Sequence, residues 1–178
     1  MRCTARVLGT AIVFAILMLF LSADAPAAPR VRVAYWLMAD VIRGGSDAVG
    51  AVGVQTNVFK QGEEVVFRAR VLDIGNGQDP GQQGKGLRAL QDLGLKVTAY
   101  LEDGQSFPLS YGRHPAQVQG REAATWFWSA AWKIPASRAP GNVKWWVIVT
   151  DKSGASVRFD PIGAGTALPP IAIIIEKR

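Results

Sequence analysis

The sequence has few of the side chains that metal sites and nucleophilic catalysis usually require. Its 178 residues include one cysteine, Cys3, and one histidine, His114. A lone cysteine forms no internal disulfide, and a zinc or copper site usually takes two or more His or Cys ligands. We therefore expect no metal site, no cofactor and no catalytic residues.

His114 is the one candidate general base. It lies in Y-G-R-H-P, a predicted loop. A hydrolase would need it to activate a nucleophile such as Ser110, with a distant carboxylate to orient the imidazole. Nothing in the local sequence supplies that orientation. A surface position is favoured, and a small hydrolase centred on His114 remains an alternative.

Calcium and phosphate sites also have little support. Calcium takes oxygen ligands, which four aspartates near predicted strand ends could supply: Asp73, Asp79, Asp151 and Asp160. No EF-hand spacing is present, and turn formation or solvation explains two of them, Asp151 and Asp79. The glycine-rich residues 75–86 lack the P-loop pattern, because Lys85 is followed by glycine instead of Ser or Thr.

The first 27 residues have the pattern of a secretory signal peptide. Arg2 and Arg6 precede an apolar run over residues 7–21, which is short for a bilayer span. Ala25-Pro26-Ala27 then provides an A-x-A cleavage pattern. We expect a signal helix, cleavage after Ala27 and export to the periplasm or cell surface; an uncleaved membrane anchor is the alternative. Cys3 precedes the apolar run, so the mature chain would contain no cysteine.

The charge of the chain is positive but dispersed. The formal net charge is +6, and the basic residues are scattered along the sequence. Removal of residues 1–27, with a net charge of +1, would leave about +5. This distribution is typical of a solvated surface, so we expect no nucleic-acid partner.

Beyond residue 27 the apolar residues alternate with a period of two, and no long helical pattern is present. Short turn-forming stretches separate the alternating segments, which indicates an all-β sandwich of about seven to nine strands. We expect strands at residues 31–38, 54–60, 64–73, 95–101, 107–111, 125–134, 143–150, 156–159 and 171–175. Residues 107–111 could be an edge strand because Pro108 cannot donate to a ladder. Residues 112–122 are expected to be a polar connection, and residues 87–93 to form one or two helical turns.

Residues 124–154 contain five of the six tryptophans. In the first predicted strand, Trp126, Trp128 and Trp132 share a face with Ile134, and in the second Trp145 shares a face with other apolar residues. These four tryptophans are expected to form the inner wall of the sandwich. Trp146 points the other way, as does Phe127.

The same residues resemble a known class of domain. The pattern W-K-I-P, then Pro-Gly, then an aromatic strand ending in T-D-K-S-G is similar to the late strands of bacterial exported immunoglobulin-like and fibronectin type III-like domains. The run N-V-F-K-Q-G-E-E-V-V-F-R-A-R-V-L-D at residues 57–73 is similar to their early strands. The resemblance covers roughly residues 54–159 and implies an antiparallel immunoglobulin-like sandwich with a binding, spacer or accessory role. The immunoglobulin disulfide is absent, and no functional residue is carried over.

Three segments follow from these patterns. Residues 1–27 are the expected signal peptide, residues 28–53 an N-terminal strand and glycine-rich loop, and residues 54–178 the immunoglobulin-like sandwich. In such a sandwich the strands beginning near Leu95, Val143 and Ser156 would be neighbours.

Their outward residues would form one aromatic and cationic surface. The candidate binding residues on it are Tyr100, Trp146, Lys96, Lys144 and Arg158, accompanied by Thr98 and Ile148. The alternative is that the first or last strand of the chain, such as residues 171–175, covers Trp146 and Ile148.

The sequence therefore predicts an exported, non-catalytic domain that acts as a protein-binding or accessory subunit in the cell envelope. Strand addition along an exposed edge is one possible binding mode. A carbohydrate-binding module that stacks sugars on Tyr100 and Trp146 is the first alternative, with a polysaccharide as ligand. Contact with a membrane is expected only through an uncleaved signal segment.

Overall fold

The computed structural model describes residues 34–45, 47–82, 86–118, 121–161 and 172–178. The predicted signal segment, the start of the first predicted strand and most of the connection after residue 161 lie outside the described residues. The described part is mostly β-strand with one short α-helix. None of its helices is long and apolar enough to cross a membrane.

Ten strands and two short helical segments make up the described fold. They are β1 Tyr35–Gly44, β2 Val58–Lys60, β3 Glu64–Asp73, a 3₁₀ turn Pro80–Gln82, α1 Leu87–Leu93, β4 Lys96–Leu101, β5 Ser106–Val118, β6 Arg121–Lys133, β7 Gly141–Val143, β8 Trp145–Thr150, β9 Ser156–Phe159 and β10 Ile173–Glu176. The all-β prediction is confirmed. The predicted bounds of β3 and β9 are also correct, because both strands alternate clearly between turn-forming residues.

The strands form two sheets. Seven of them lie in the order β1-β3-β6-β5-β4-β8-β9, with every neighbouring pair antiparallel. The other three lie in the order β2-β10-β7, where β2 and β10 are parallel and β10 and β7 are antiparallel. The edge strands β1 and β9 contact each other, so the larger sheet is rolled around a common core.

Strand β5 joins the two halves of the rolled sheet. Its first residues, 106–109, pair with β4, and residues 110–118 pair with β6. The expectation that residues 107–111 form an edge strand is therefore wrong. Pro108 is tolerated because it lies opposite Thr98 of β4, two residues before the ladder with β6 begins.

The prediction of a polar connection at residues 112–122 is also wrong, because β5 and β6 extend through nearly all of it. The register continues from Ser110 opposite Ser129 to Val118 opposite Arg121. Residues 112–118 do not alternate between apolar and polar residues, so their pairing depends on continuation of the ladder from the well-patterned residues of β6.

The core lies between the inner faces of the rolled sheet. Phe67 of β3 contacts Trp145 of β8, with ring centroids 5.8 Å apart, and stacks on Phe107 of β5 at 5.5 Å. Burial of each such side chain contributes about 1.5–3 kcal/mol relative to exposure. Ile173 and Ile175 of β10 are also buried, so the smaller sheet closes part of the same core.

Candidate functional site

The tryptophans divide between the core and the outer faces. Trp128, Trp132 and Trp145 are buried, as the strand parity predicts, and Trp126 is half-buried where it stacks on Tyr111 at 5.6 Å. Trp146 is half-buried on the outer face of β8. The outer faces of β4, β8 and β9 therefore have an aromatic residue at their centre.

Tyr100, Trp146 and Arg158 form a transverse stack across β4, β8 and β9, which we call the tryptophan ladder. Tyr100 lies directly opposite Trp146 in the register, and their rings are nearly parallel at 10° with centroids 5.9 Å apart. The guanidinium of Arg158 lies 4.6 Å from the centroid of Trp146. Contacts of this kind stabilise a sheet by about 0.5–1 kcal/mol each at partly exposed positions.

Two further cations lie near this ladder in sequence, Lys144 two residues before Trp146 and Lys96 four residues before Tyr100. Lys96 and Lys144 are exposed, and neither forms an ion pair within the described residues. Arg158 pairs with Asp160 at 2.5 Å. The structure thus brings all five sequence-predicted binding residues to the β4–β8–β9 half of the sheet.

The last strand does not take the position suggested as a cover for Trp146. Strand β10 pairs with β2 and β7, and its Ile173 and Ile175 point into the core. The surface around Trp146 has no other ring or cation contact among the described residues than Tyr100 and Arg158.

A second transverse stack crosses the other half of the sheet, and we call it the histidine ladder. Arg68 of β3 makes a bidentate contact with Asp40 of β1, at 2.8 Å and 2.5 Å. Its guanidinium lies 5.7 Å from the ring centroid of Phe127 on β6. His114 of β5 stacks on Phe127 with a centroid distance of 3.8 Å and an angle of 9°. Both ladders therefore consist of an Asp–Arg pair followed by two stacked rings.

His114 contacts a serine other than the one considered from sequence. Its Nε2 lies 3.3 Å from the hydroxyl oxygen of Ser129, whereas Ser110 is the register partner of Ser129 on β5. Burial, followed by the nearby charge of Arg68, lowers the pKa of His114 below its ordinary value of 6.5. Both effects favour the neutral imidazole.

The Ser129–His114 pair has only part of the geometry of a nucleophilic site. A general base usually needs a third group that orients it. In the part of the chain that the structure describes, no carboxylate pairs with the imidazole, and stacking on Phe127 fixes the ring instead. The pair is most simply a polar contact that completes the histidine ladder.

The aspartates considered as calcium ligands form hydrogen bonds or ion pairs with different local partners. Asp151 accepts hydrogen bonds from Tyr35 and Ser153, at 2.9 Å and 2.6 Å, and Asp160 pairs with Arg158. Asp79, expected to be solvated, is buried and accepts a hydrogen bond from Tyr111 at 3.1 Å. Within the described residues no group of three or more His, Cys, Asp or Glu side chains is placed to hold a metal ion.

A groove of about 780 Å³ lies over the outer faces of β1 and β3 and reaches the histidine ladder. Met38 and Ile42 form apolar walls, Gln55 approaches from the loop before β2, and Arg70 is also part of the lining. Trp36, further along the outer face of β1, is 62% exposed. Sequence reasoning missed Trp36 as a surface residue, although its place between the buried Tyr35 and Leu37 predicts an outward side chain.

Comparison with known proteins found no matching family model, no similar curated protein and no similar solved structure. Functional interpretation therefore rests on the chain's own residues.

Proposed function

We propose that the protein is an exported, non-catalytic immunoglobulin-like domain that binds a partner protein in the cell envelope through the tryptophan ladder. The signal-peptide pattern of residues 1–27 supports export. Stacking of the single histidine, His114, on Phe127 supports a non-catalytic role.

The strand order supports the immunoglobulin-like part of this proposal. Constant-type immunoglobulin domains place strands A to G in two sheets with the orders A-B-E-D and C-F-G. With β2, β7 and β10 set aside, the seven remaining strands in chain order take the same arrangement, β1-β3-β6-β5 and β4-β8-β9. The departure from that arrangement is β5, which pairs with β4 as well as β6. The groups β1-β3-β6-β5 and β4-β8-β9 are thereby joined into one seven-stranded sheet.

The observation that carries the binding proposal is the preassembled tryptophan ladder, with the exposed Lys96 and Lys144 on the same half of the sheet. Protein interfaces are often centred on Trp, Tyr and Arg side chains held in fixed positions, surrounded by a polar rim. Tyr100, Trp146 and Arg158 have this composition, and Lys96 and Lys144 supply exposed positive charge. The partner surface that fits is apolar at its centre and acidic around it.

The geometry of the rings favours a protein over a sugar. A saccharide stacks its apolar face on the face of an aromatic ring. Tyr100 covers one face of Trp146 and the guanidinium of Arg158 covers a ring face as well. The indole therefore presents mainly its edge, which suits side-chain packing better than sugar stacking.

A comparison of two outward-facing tryptophans, the half-buried Trp146 and the exposed Trp36, tests the proposal. Trp146→Ala should abolish co-purification of a specific protein with the full chain from its native envelope fraction, whereas Trp36→Ala should leave it intact. Equal recovery with Trp146→Ala would contradict the proposal. A fluorescence change with polysaccharides that Trp146→Ala removes would favour the carbohydrate-binding alternative. Hydrolytic turnover lost in His114→Ala would favour the hydrolase alternative.

A further inference from the structure

The groove on the β1–β3 side has the size of a small-molecule site. Its volume of about 780 Å³ lies within the usual range for such sites, about 300–1,000 Å³. It lies on the outer face of the four strands that carry the histidine ladder, whereas the tryptophan ladder lies on β4, β8 and β9. A ligand in the groove would therefore not compete with a partner bound at the tryptophan ladder.

The loop before β2 forms a fixed wall of this groove. Backbone hydrogen bonds join it to β1: Arg43 N donates to Val54 O at 3.0 Å, and Gly53 N donates to Arg43 O at 2.7 Å. Ile42 and Gln55 form a β-bridge at the same place. This wall is therefore formed before any ligand arrives, which lowers the entropic cost of binding.

The groove combines apolar walls with a positive charge, that of Arg70, which forms no ion pair in the described part of the chain. Met38 and Ile42 point outward from β1, and the flexible thioether of a methionine adapts to the shape of a ligand. Asp40 neutralises Arg68, and burial followed by the charge of Arg68 lowers the pKa of His114, which favours the neutral imidazole. Arg70, the register partner of Met38, is exposed and forms no ion pair within the described residues.

We propose that this groove binds a small organic carboxylate with an apolar body, such as a medium-chain fatty acid. The guanidinium of Arg70 matches a carboxylate in a bidentate contact, and the hydrocarbon chain lies against Met38 and Ile42. Arg68 does not take the carboxylate, because doing so would leave Asp40 without its partner at a half-buried position.

Titration calorimetry on the purified full-length chain tests the charge and the apolar body separately. Octanoate should bind at least roughly tenfold more tightly than octanamide, because only the carboxylate gains a charged hydrogen-bonded contact with Arg70. Acetate, which has no apolar body, should give no measurable binding. Equal affinities for octanoate and octanamide, or no octanoate binding at millimolar concentration, would overturn the proposal.

Variants test whether Arg70 causes the preference for octanoate over octanamide. Arg70→Gln should remove the preference for octanoate, and Arg70→Lys should keep part of it. Arg113→Gln, at an exposed arginine on β5 that does not line the groove, should change nothing. If Arg113→Gln weakens octanoate as much as Arg70→Gln does, general charge attraction explains the binding and the proposed site is wrong. Trp146→Ala should leave octanoate binding unchanged, so this proposal and the proposed function can fail independently.

Discussion

Glu63 is a fully buried carboxylate immediately before β3. Its oxygens accept hydrogen bonds from the backbone of Val49 at 2.6 Å and Lys60 at 2.7 Å, and Arg43 lies 3.3 Å away. Burial by itself would raise the pKa of Glu63, but the two backbone donors and the positive charge of Arg43 outweigh it and the pKa lies below its ordinary value. One side chain thus fixes the loop before β2 and the turn after it.

We predict that Glu63→Gln lowers the free energy of unfolding by about 2–4 kcal/mol, because the neutral amide loses the charged pair and turns a donor toward one backbone N–H. Urea unfolding measures the change. Glu64→Gln is the matched control, since Glu64 forms no ion pair within the described residues, and it should change stability by less than about 0.5 kcal/mol. Similar losses in both variants would show that the buried contacts of Glu63 contribute little.

His114 should make stability depend on pH in a window separate from that of Glu63. Its pKa is lowered in the folded protein, so the unfolded chain binds the proton more readily and stability decreases as the pH falls through the ordinary histidine value of 6.5. The lowered pKa of Glu63 also makes stability decrease as the pH falls, but at lower pH, below the ordinary glutamate pKa of 4.5.

We predict that His114→Phe, which keeps a ring on Phe127 but does not titrate, flattens the loss of stability between about pH 7 and pH 5. The loss below about pH 4.5 should persist in this variant. Denaturant unfolding at a series of pH values gives both slopes. An unchanged slope above pH 5 would mean that His114 titrates alike in the folded and unfolded states.

At the scale of elements, the two ladders connect strands that hydrogen bonds already pair. Asp40, Arg68, Phe127 and His114 link four strands side by side, and Tyr100, Trp146 and Arg158 link three. Cross-strand pairs of this kind stabilise register as well as pairing, because a slip of one residue would move the ladder residues of the slipped strand to the opposite face.

A double-mutant cycle measures the coupling within the tryptophan ladder. Trp146→Ala and Arg158→Ala should show a coupling of about 0.5–1 kcal/mol in the free energy of unfolding. Trp146→Ala and Arg68→Ala, which lie in different ladders, should be additive within about 0.5 kcal/mol. Coupling of equal size in both cycles would indicate a global effect on the sheet instead of direct contact.

Alternation in the sequence was sufficient to predict several strands and the outward side chains of one of the two ladders. The alternation of β4, β8 and β9 turned Tyr100, Trp146 and Arg158 outward, and the immunoglobulin-like arrangement predicted that these strands are neighbours. The histidine ladder was not predicted, because Asp40, Arg68 and Phe127 meet only once the register of β1, β3 and β6 is known. Residues 112–118 lack alternation, so the long β5–β6 ladder also depended on information that local sequence does not contain.

At the scale of the whole molecule, the rolled sheet places two different surfaces on different strands. The tryptophan ladder lies on β4, β8 and β9, and the groove lies on β1 and β3. Phe67 and Trp145 pack against each other between these halves, so a rigid core supports both surfaces. The proposed protein partner and the proposed carboxylate ligand are therefore expected to bind independently.

Site-specific photo-crosslinking in the native envelope tests the central claim most directly. A photoreactive phenylalanine derivative in place of the exposed Lys96, four residues before Tyr100 on the same outer face of β4, should give one discrete protein adduct. The same residue in place of Trp36, on the outer face of β1, should not give that adduct. An identical adduct from the Trp36 position, or none from Lys96 while Trp36 gives one, would contradict the assignment of the tryptophan ladder as the partner-binding surface.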